Sequence, residues 1–195
     1  MVCVIIDGNI GAGKTTQLDL LEQKGFKVQR EPIDQWPLEE FYKDPPRWSF
    51  LFHMVVLKTQ QKPHGDVIYE RSLYSSRYVF WKVLLKNKLV NKIENDTYEF
   101  LWDRLAWAPD VFIYLDKDPE VAYQHIRSRH QSGDDGVTLE YLKELDAEYK
   151  ELLKVMPSKV IVVNANQPVD KIHEEICNCL VGNELFFNNP LRQKV

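Results

Sequence analysis

Residues 8–15 have the residue types of a phosphate-binding loop. They read Gly-Asn-Ile-Gly-Ala-Gly-Lys-Thr and fit G-x-x-x-x-G-K-[ST] at every fixed position. Glycines allow the tight backbone turns that aim successive N–H groups at phosphate oxygens. The lysine can reach the β- and γ-phosphates of a nucleotide, and the following hydroxyl can ligate Mg²⁺. We expect a nucleoside triphosphate to be held by Gly8, Asn9, Ile10, Gly11, Ala12, Gly13, Lys14, Thr15 and Thr16.

Two charged residues follow a short apolar run at 66–69. Glu70 and Arg71 stand where that run ends, and Ser72 comes next. If the run is a strand beside the phosphate loop, Glu70 can hold Mg²⁺ directly or through water, together with Thr15. Arg71 can then stabilise a transferring phosphoryl group. An exposed Glu–Arg pair would instead contribute little, but the end of a strand next to a phosphate loop favours the functional interpretation.

A second carboxylate, Glu31, follows another apolar run at 26–29. Pro32 restricts the residue before it to an extended backbone, so the Glu31 side chain is presented rather than folded back. A carboxylate near a γ-phosphate can accept the proton of an attacking hydroxyl. Trp36 offers a flat face for an aromatic base. Taken alone, such a glutamate is more often structural than catalytic.

The elements that must position these residues alternate along the chain. Apolar runs predict strands at 2–6, 26–29, 66–69, 111–115 and 159–163. Helical patterns fall at 14–23, 46–61, 73–85, 95–106, 119–129, 139–153 and 169–180. This alternation predicts an α/β fold, a five-stranded parallel sheet with helices on both faces. Such a sheet binds its ligand at the carboxyl ends of the strands, where the three motifs fall.

Composition narrows the class of protein. The 195 residues favour one domain, at 1–182, followed by a loose tail at 183–195. A formal net charge of −4 argues against nucleic acid as a partner. Three cysteines without a metal or disulfide spacing indicate a reducing compartment. The chain lacks a long apolar segment, and its phosphate loop begins at Gly8, so we expect neither a membrane span nor a leader peptide. These observations predict a cytoplasmic protein.

The motifs together resemble those of the deoxynucleoside kinases, the family of deoxycytidine, deoxyguanosine and mitochondrial-type thymidine kinases. The resemblance is carried by the phosphate loop, Glu31-Pro32 with Trp36, the stretch Arg47-Trp48-Ser49-Phe50, and Glu70-Arg71-Ser72 followed by Arg77-Tyr78 and Phe80. It covers residues 4 to about 153. It implies a P-loop kinase fold with a short lid at about 129–137, which closes to exclude water.

The resemblance also implies an activity and roles for single residues. The ATP γ-phosphoryl group would pass to the 5′-hydroxyl of a deoxynucleoside, with Mg²⁺ as cofactor. Glu31 would be the general base, and Arg71, Lys14 and Arg129 would stabilise the transferring phosphoryl group. Family members are usually homodimers. The deoxynucleoside itself would be bound by Glu31, Trp36, Tyr42, Phe52, His53, Val56, Arg71, Ser76, Phe80 and Asp134.

Some positions depart from the family pattern. His53 stands where the family reads the base with glutamine, and an imidazole cannot reproduce the bidentate bonding of an amide. Gln60 and Ser76 replace an arginine and an aspartate found in cytidine- and purine-preferring members. The loss of this ion pair resembles the thymidine-accepting branch of the family and so favours a pyrimidine, thymidine and/or deoxycytidine, used in nucleotide salvage. On the lid, Gln131 and His125 replace arginines, which leaves the phosphate-donor preference open.

Two other classes of protein share part of this pattern. A thymidylate-type nucleoside monophosphate kinase has the same loop and lid, but it would place an arginine near Glu31, and Arg30 is adjacent. A nucleotide-dependent binding module would need the phosphate loop but would not need the catalytic side chains. The combination of Lys14, Thr15, Glu70 and Arg71 with Glu31 argues against such a module.

Overall fold

A five-stranded parallel sheet forms the centre of the molecule. The computed structural model describes residues 2–60, 62, 65–129 and 134–182. Within these ranges the strands are β1 (Cys3–Gly8), β2 (Val28–Gln29), β3 (Val67–Glu70), β4 (Val111–Asp116) and β5 (Lys159–Asn164). All pair in parallel in the order β2-β3-β1-β4-β5. The predicted sheet is confirmed, and β1 and β3 lie side by side as the motifs required.

Helices connect the strands. The larger helices are α1 (Lys14–Gln23), α2 (Leu38–Lys43), α3 (Pro45–Thr59), α6 (Lys92–Leu105), α7 (Pro119–Arg129), α8 (Leu139–Val155) and α9 (Val169–Gly182). Between β3 and α6, one continuous helical stretch consists of α4 (Leu73–Ser75), a π-helical segment at Ser76–Trp81 and α5 (Lys82–Lys86). None of the helices in the described ranges is long and apolar enough to cross a bilayer.

Alternate residues of each strand enter different hydrophobic layers, because side chains along a strand point to opposite faces. In β1, Ile5 packs in a layer with α3 and α8, whereas Val4 and Ile6 pack in the opposite layer with α1 and α9. Phe112 and Ile113 of β4 divide in the same way. The strands are therefore covered on both faces, which explains why they read as continuous apolar runs rather than as alternating ones.

Local capping sets several helix starts. The Asn91 side chain accepts hydrogen bonds from the backbone N–H groups of Ile93 and Glu94, and the Glu94 carboxylate in turn accepts one from the Asn91 backbone N–H. This reciprocal pair begins α6 three residues earlier than the apolar periodicity predicts. The predicted bounds of α1 and α7 agree with the structure.

Other features were not predicted. Helix α2 and the short 3-10 turns at Ile33–Gln35 and Asp134–Gly136 lie in segments that the sequence analysis left without structure. Strand β2 is shorter than expected, with two residues in the sheet. Of the predicted lid, residues 130–133, which include Gln131, lie outside the described residues, and so does the predicted tail at 183–195.

Candidate active site

The phosphate loop joins β1 to α1 and depends on its glycines. Gly13 adopts φ +94° as the residue that precedes α1, a conformation that L side chains rarely take. A Cβ on Gly11 would lie 2.7 Å from the carbonyl oxygen of Ala122, so α7 packs directly on the loop backbone. The loop thus presents its N–H groups at the start of a ten-residue helix, where the helix dipole also favours an anion.

Lys14 is buried inside this loop. Its Nζ donates hydrogen bonds to the carbonyl oxygens of Gly8 at 3.2 Å and Asn9 at 3.0 Å. Burial, and next the positive charge of Arg71, lower the pKa of Lys14 to about 8. Phosphate oxygens would supply the negative charge that this ammonium lacks, so the loop is prepared electrostatically for a triphosphate.

Thr15 and Glu70 meet across the gap between α1 and β3. The Thr15 hydroxyl donates a 2.8 Å hydrogen bond to Glu70 Oε1. A hydroxyl and a carboxylate are hard oxygen donors, and Mg²⁺ is usually held by one or two such groups with water and substrate phosphates. The pair therefore fits a magnesium ion shared with a nucleotide. Within the described residues no cluster of three or more acidic, histidine or cysteine side chains is arranged for a metal.

Arg71 is fixed from several sides. It has φ +62°, an uncommon conformation for a residue with a side chain. Its Nε donates to Glu31 Oε1 at 2.7 Å, and its Nη1 donates to the Tyr149 hydroxyl at 2.6 Å. The guanidinium carbon lies 4.5 Å from the centre of the Phe80 ring. Tyr149 in turn donates to Asp7 Oδ1 at 2.8 Å. Among the described residues Nη2 has no partner, which leaves one donor edge for a ligand.

Glu31 lies beside this arginine, with 11% of its side chain exposed. Burial raises the pKa of Glu31, and the positive charge of Arg71 opposes that rise. The carboxylate is therefore more basic than an exposed glutamate while it stays ion-paired. A carboxylate of this kind can accept a proton from a hydroxyl bound next to it.

One cavity of about 530 Å³ connects these groups. Every residue predicted to bind the deoxynucleoside lines it, as do the catalytic and metal-binding candidates. Of the phosphate loop, Ile10, Gly11, Lys14, Thr15 and Thr16 line the cavity, whereas Gly8, Asn9, Ala12 and Gly13 do not. The sequence thus identified most of the wall. The lining residues that it did not assign are Arg30, Ile33, Leu38, Phe41, Val137 and Tyr141.

Aromatic side chains form the wall away from the phosphate loop. Phe52 stacks on Phe41 with ring centres 4.9 Å apart and meets Trp36 edge-on at 5.8 Å. The Trp36 indole N–H donates to the Thr59 hydroxyl at 2.9 Å, which fixes the ring against α3. Phe41 belongs to α2, a helix that the sequence analysis missed. The apolar spacing of Leu38, Phe41 and Tyr42 was the available signal.

The lid residues in the described ranges pair with each other. Arg129 Nε and Nη2 donate to the two carboxylate oxygens of Asp134, each at 2.8 Å. The sequence analysis assigned Arg129 to the transferring phosphoryl group and Asp134 to the deoxynucleoside, and it gave no reason to expect this bidentate pair. Beside it, a Cβ on Gly136 would lie 2.6 Å from Tyr42 Cδ1, so the 3-10 turn presses on the tyrosine ring.

This geometry defines a P-loop phosphotransferase, and comparisons with known proteins identify the family. The deoxynucleoside kinase family matches residues 4–181. A protein named as a kinase, 029R of Invertebrate iridescent virus 3, is 33% identical over 92% of this chain and 97% of its own length. Deoxyadenosine kinase of Dictyostelium discoideum is 31% identical over 84% of this chain and 71% of its own.

Solved structures agree with this result. Deoxyadenosine kinase from M. mycoides, in a structure described as containing the products dCMP and a flexible dCDP, superposes with a TM-score of 0.84 at 26% identity. The match covers 93% of this chain and 100% of that one. The chain belongs to the deoxynucleoside kinase family and is a kinase with the P-loop kinase fold, as the motifs indicated.

Proposed function

We propose that the chain transfers the γ-phosphoryl group of ATP to the 5′-hydroxyl of a pyrimidine deoxynucleoside in nucleotide salvage. The proposal rests chiefly on the Glu31–Arg71 ion pair, which shares one cavity with the phosphate loop and an aromatic wall. A base, a phosphoryl-stabilising arginine, a triphosphate site and a surface for a flat ring are the parts that this reaction needs.

In the proposed mechanism, positioning and charge stabilisation supply most of the rate enhancement, because the transition state of phosphoryl transfer is loose. Lys14 and the loop N–H groups hold the triphosphate. Glu31 orients the 5′-hydroxyl and takes its proton as the new bond forms. The Nη2 group of Arg71, which has no partner among the described residues, would contact the transferring group, while Glu31 and Tyr149 hold its other nitrogens.

Magnesium would be held by Thr15 and Glu70, which already lie within hydrogen-bonding distance of each other. When bound, the ion neutralises charge on the β- and γ-phosphate oxygens. Arg129 would add positive charge from the lid, and its 2.8 Å bonds to Asp134 keep it beside the cavity. Tyr42, adjacent to this pair, and Asp134 would bind the sugar.

The base would lie against Trp36, Phe52, Val56 and Phe80, close to His53 and Ser76. Relatives are named as deoxyadenosine, deoxycytidine and thymidine kinases. Gln60 and Ser76 lack the arginine–aspartate pair that the resemblance associates with cytidine- and purine-preferring members, which supports a pyrimidine of the thymidine-accepting kind.

Arg30 offers little support for a nucleoside monophosphate kinase. Its guanidinium forms ion pairs with Asp19 at 2.6 Å and Glu22 at 2.7 Å, both on α1. An arginine that bound an acceptor phosphate would have to leave these two carboxylates. We therefore favour an unphosphorylated acceptor.

Coupled measurement of ATP consumption tests the proposal. The assay compares thymidine, deoxycytidine and deoxyadenosine with thymidine monophosphate as acceptors. We expect turnover with a pyrimidine deoxynucleoside. Turnover with the monophosphate alone would identify the other kinase class, and acceptor-independent hydrolysis would identify a nucleotide-binding module.

We also propose that the chain forms a homodimer and is located in the cytoplasm. The chain has a mass of 23.0 kDa. Sedimentation equilibrium should therefore give about twice this value, and the monomer mass would contradict the dimer.

A further inference from the structure

Three polar side chains in contact lie behind the base end of the cavity, and we call them the polar trio. They are His53 of α3, Ser76 of the π-helical segment and Tyr98 of α6. His53 Nδ1 lies 3.3 Å from Ser76 Oγ, and Ser76 Oγ lies 3.4 Å from the Tyr98 hydroxyl. Their exposed fractions are 3%, 2% and 0%, so water does not compete for these contacts.

The trio has one end at the cavity and one in the core. His53 and Ser76 line the cavity, whereas Tyr98 does not. The Tyr98 ring stacks on Trp81 with ring centres 4.0 Å apart, and the Trp81 indole N–H donates a 2.9 Å hydrogen bond to Asn95 Oδ1. The His53 ring packs edge-on against Trp81 at 5.3 Å. These contacts hold the tyrosine and the imidazole in place.

The hydrogens of the trio can be counted. The two hydroxyls and a neutral imidazole carry three donor hydrogens, but the trio has only two contacts. Among the described residues the Tyr98 hydroxyl has no partner besides Ser76, and His53 Nε2 has no hydrogen-bond partner. A fully buried Tyr98 hydroxyl must therefore donate to Ser76, since an unmatched buried donor is costly.

Two arrangements remain for the histidine. If Ser76 donates to Nδ1, the single group left unpaired is Nε2–H. If Nδ1–H donates to Ser76, both the serine hydrogen and the Nε2 lone pair are left unpaired. The first arrangement leaves fewer unpaired polar groups and makes a continuous chain of bonds from Tyr98 through Ser76 to His53, in which each bond polarises the next.

The imidazole is also neutral. Burial lowers the pKa of His53 to about 3. Among the described residues, the hydrogen-bonding contact of the His53 ring is with Ser76, which in turn contacts Tyr98. No carboxylate of these residues forms an ion pair with the ring. At neutral pH the ring thus carries a single proton.

We propose that His53 reads the base of the substrate as a donor through Nε2–H, with its tautomer set by the chain Tyr98 to Ser76 to His53. The inference rests on the proposed function, which places the base at this wall, and it goes further by assigning the polarity of the contact. A glutamine at this position would present both a donor and an acceptor. His53 presents only a donor.

A single donor selects for an in-plane lone pair on the base. Cytosine carries a lone pair at N3, whereas thymine carries N3–H, which would meet Nε2–H donor to donor. Thymine would have to shift to offer O4 instead. The polarity of His53 therefore favours deoxycytidine among the pyrimidine deoxynucleosides, because a buried donor left unpaired opposes binding. In this respect His53 acts against the thymidine-accepting pattern at Gln60 and Ser76.

Nitrogen NMR of the imidazole rings in the whole protein tests the tautomer. The spectrum of ¹⁵N-histidine-labelled protein at pH 7 would be compared with that of His53→Gln to assign the ring. We expect a protonated Nε2 and an unprotonated Nδ1. A proton on Nδ1, or a doubly protonated ring, would overturn the inference, and this readout does not depend on activity.

Substrate analogues test the reading of the base. We expect kcat/KM for deoxycytidine to exceed that for 3-deaza-deoxycytidine, in which N3 is replaced by C–H, by at least about tenfold. In His53→Phe the two substrates should differ by less than about threefold, since neither can be bonded. His53→Gln should lower the ratio of deoxycytidine to thymidine use by about tenfold. His173→Gln, in a partly buried histidine of α9, is the control that should leave these ratios unchanged.

The outcomes separate the two proposals. No turnover with any deoxynucleoside would refute the proposed function, while the NMR experiment would still report the tautomer. Turnover with equal use of deoxycytidine and its 3-deaza analogue would uphold the kinase activity and refute the role of His53.

Discussion

At the scale of single residues, Arg71 organises the site. Its positive φ turns the chain at the end of β3 and directs the side chain back toward the phosphate loop. Glu31, Tyr149 and the Phe80 ring then occupy three of its sides. A buried guanidinium requires such compensation, since an unpaired buried charge is strongly unfavourable. The same contacts that stabilise Arg71 also hold Glu31 in the cavity.

Replacing Glu31 with alanine should lower kcat at least ~100-fold, the usual scale for a general base. The ATP affinity should remain within about threefold, because Lys14 and the loop N–H groups are unchanged. Steady-state kinetics and ATP titration would measure both. Glu39→Ala, which removes an exposed carboxylate paired with Lys43, is the matched control. Near-normal turnover in Glu31→Ala would show that another group accepts the proton.

The lowered pKa of Lys14, about 8, predicts a proton linkage. Between that pKa and its ordinary value the free lysine is largely neutral, and bound phosphates should restore its charge. ATP binding at pH 8.5 should therefore take up part of a proton, whereas binding at pH 7 should take up little. Calorimetry in buffers of different ionisation enthalpy would measure the uptake. Lys14→Arg, which stays charged, should abolish it, and equal uptake in both proteins would contradict the assignment.

At the scale of elements, the residues of the predicted lid that the structure describes form short contacts with α7 and α2, which line the cavity. Arg129 at the end of α7 binds Asp134 of the following 3-10 turn, and Arg127 donates to the carbonyl oxygen of Val137 at 2.7 Å. Gly136 in the same turn leaves room for Tyr42 of α2. Movement of the predicted lid would therefore change both the proposed phosphate side and the proposed sugar side of the cavity.

Gly136→Ala tests this coupling between the lid and α2. The added methyl group would overlap the Tyr42 ring, and an overpacked contact of this kind costs about 1–3 kcal/mol. We expect KM for the deoxynucleoside to rise roughly tenfold while the ATP affinity is retained. Asp135→Ala, at an exposed neighbour in the same turn, should have little effect. An unchanged KM in Gly136→Ala would place Tyr42 outside the sugar site.

At the scale of the whole molecule, the sheet order explains how distant motifs meet. Strand β1 lies between β3 and β4, so the phosphate loop after β1 adjoins Glu70 and Arg71 after β3. Strand β2 lies on the far side of β3 and delivers Glu31 to the same edge. The net charge of −4 is compatible with a phosphate ligand because the few cations involved are concentrated at this edge.

Ligands should stabilise the folded chain as a unit. A ligand at 100 times its Kd adds about 2.7 kcal/mol, which for a chain of this size raises Tm by roughly 5–10 °C. ATP with a pyrimidine deoxynucleoside should give a larger shift than ATP alone in a thermal scan. Lys14→Ala should lose the ATP-dependent part. A shift with thymidine monophosphate but not with the nucleosides would favour the other kinase class.

The sequence by itself determined the parts that depend on local pattern. Short apolar runs and helical periodicity gave the five strands and most helices, and fixed spacing identified the phosphate loop, Glu70-Arg71 and Glu31. Helix α2 was missed because its six residues are too short for a clear period. Tyr149 was missed because nothing within α8 distinguishes a tyrosine that contacts Arg71 from one packed in the core.

Only the tertiary structure decided which side chains touch. The Arg129–Asp134 pair, the position of Gly136 against Tyr42, and the chain from Tyr98 to His53 join residues on different elements. From the sequence alone, His53 indicates only that the family's glutamine is replaced at this position. The direction of its hydrogen bond depends on Ser76 and Tyr98, 23 and 45 residues away along the chain. The burial of a side chain and the direction of its hydrogen bonds depend on its neighbours in space. Both are therefore decided only when the fold has brought these groups together.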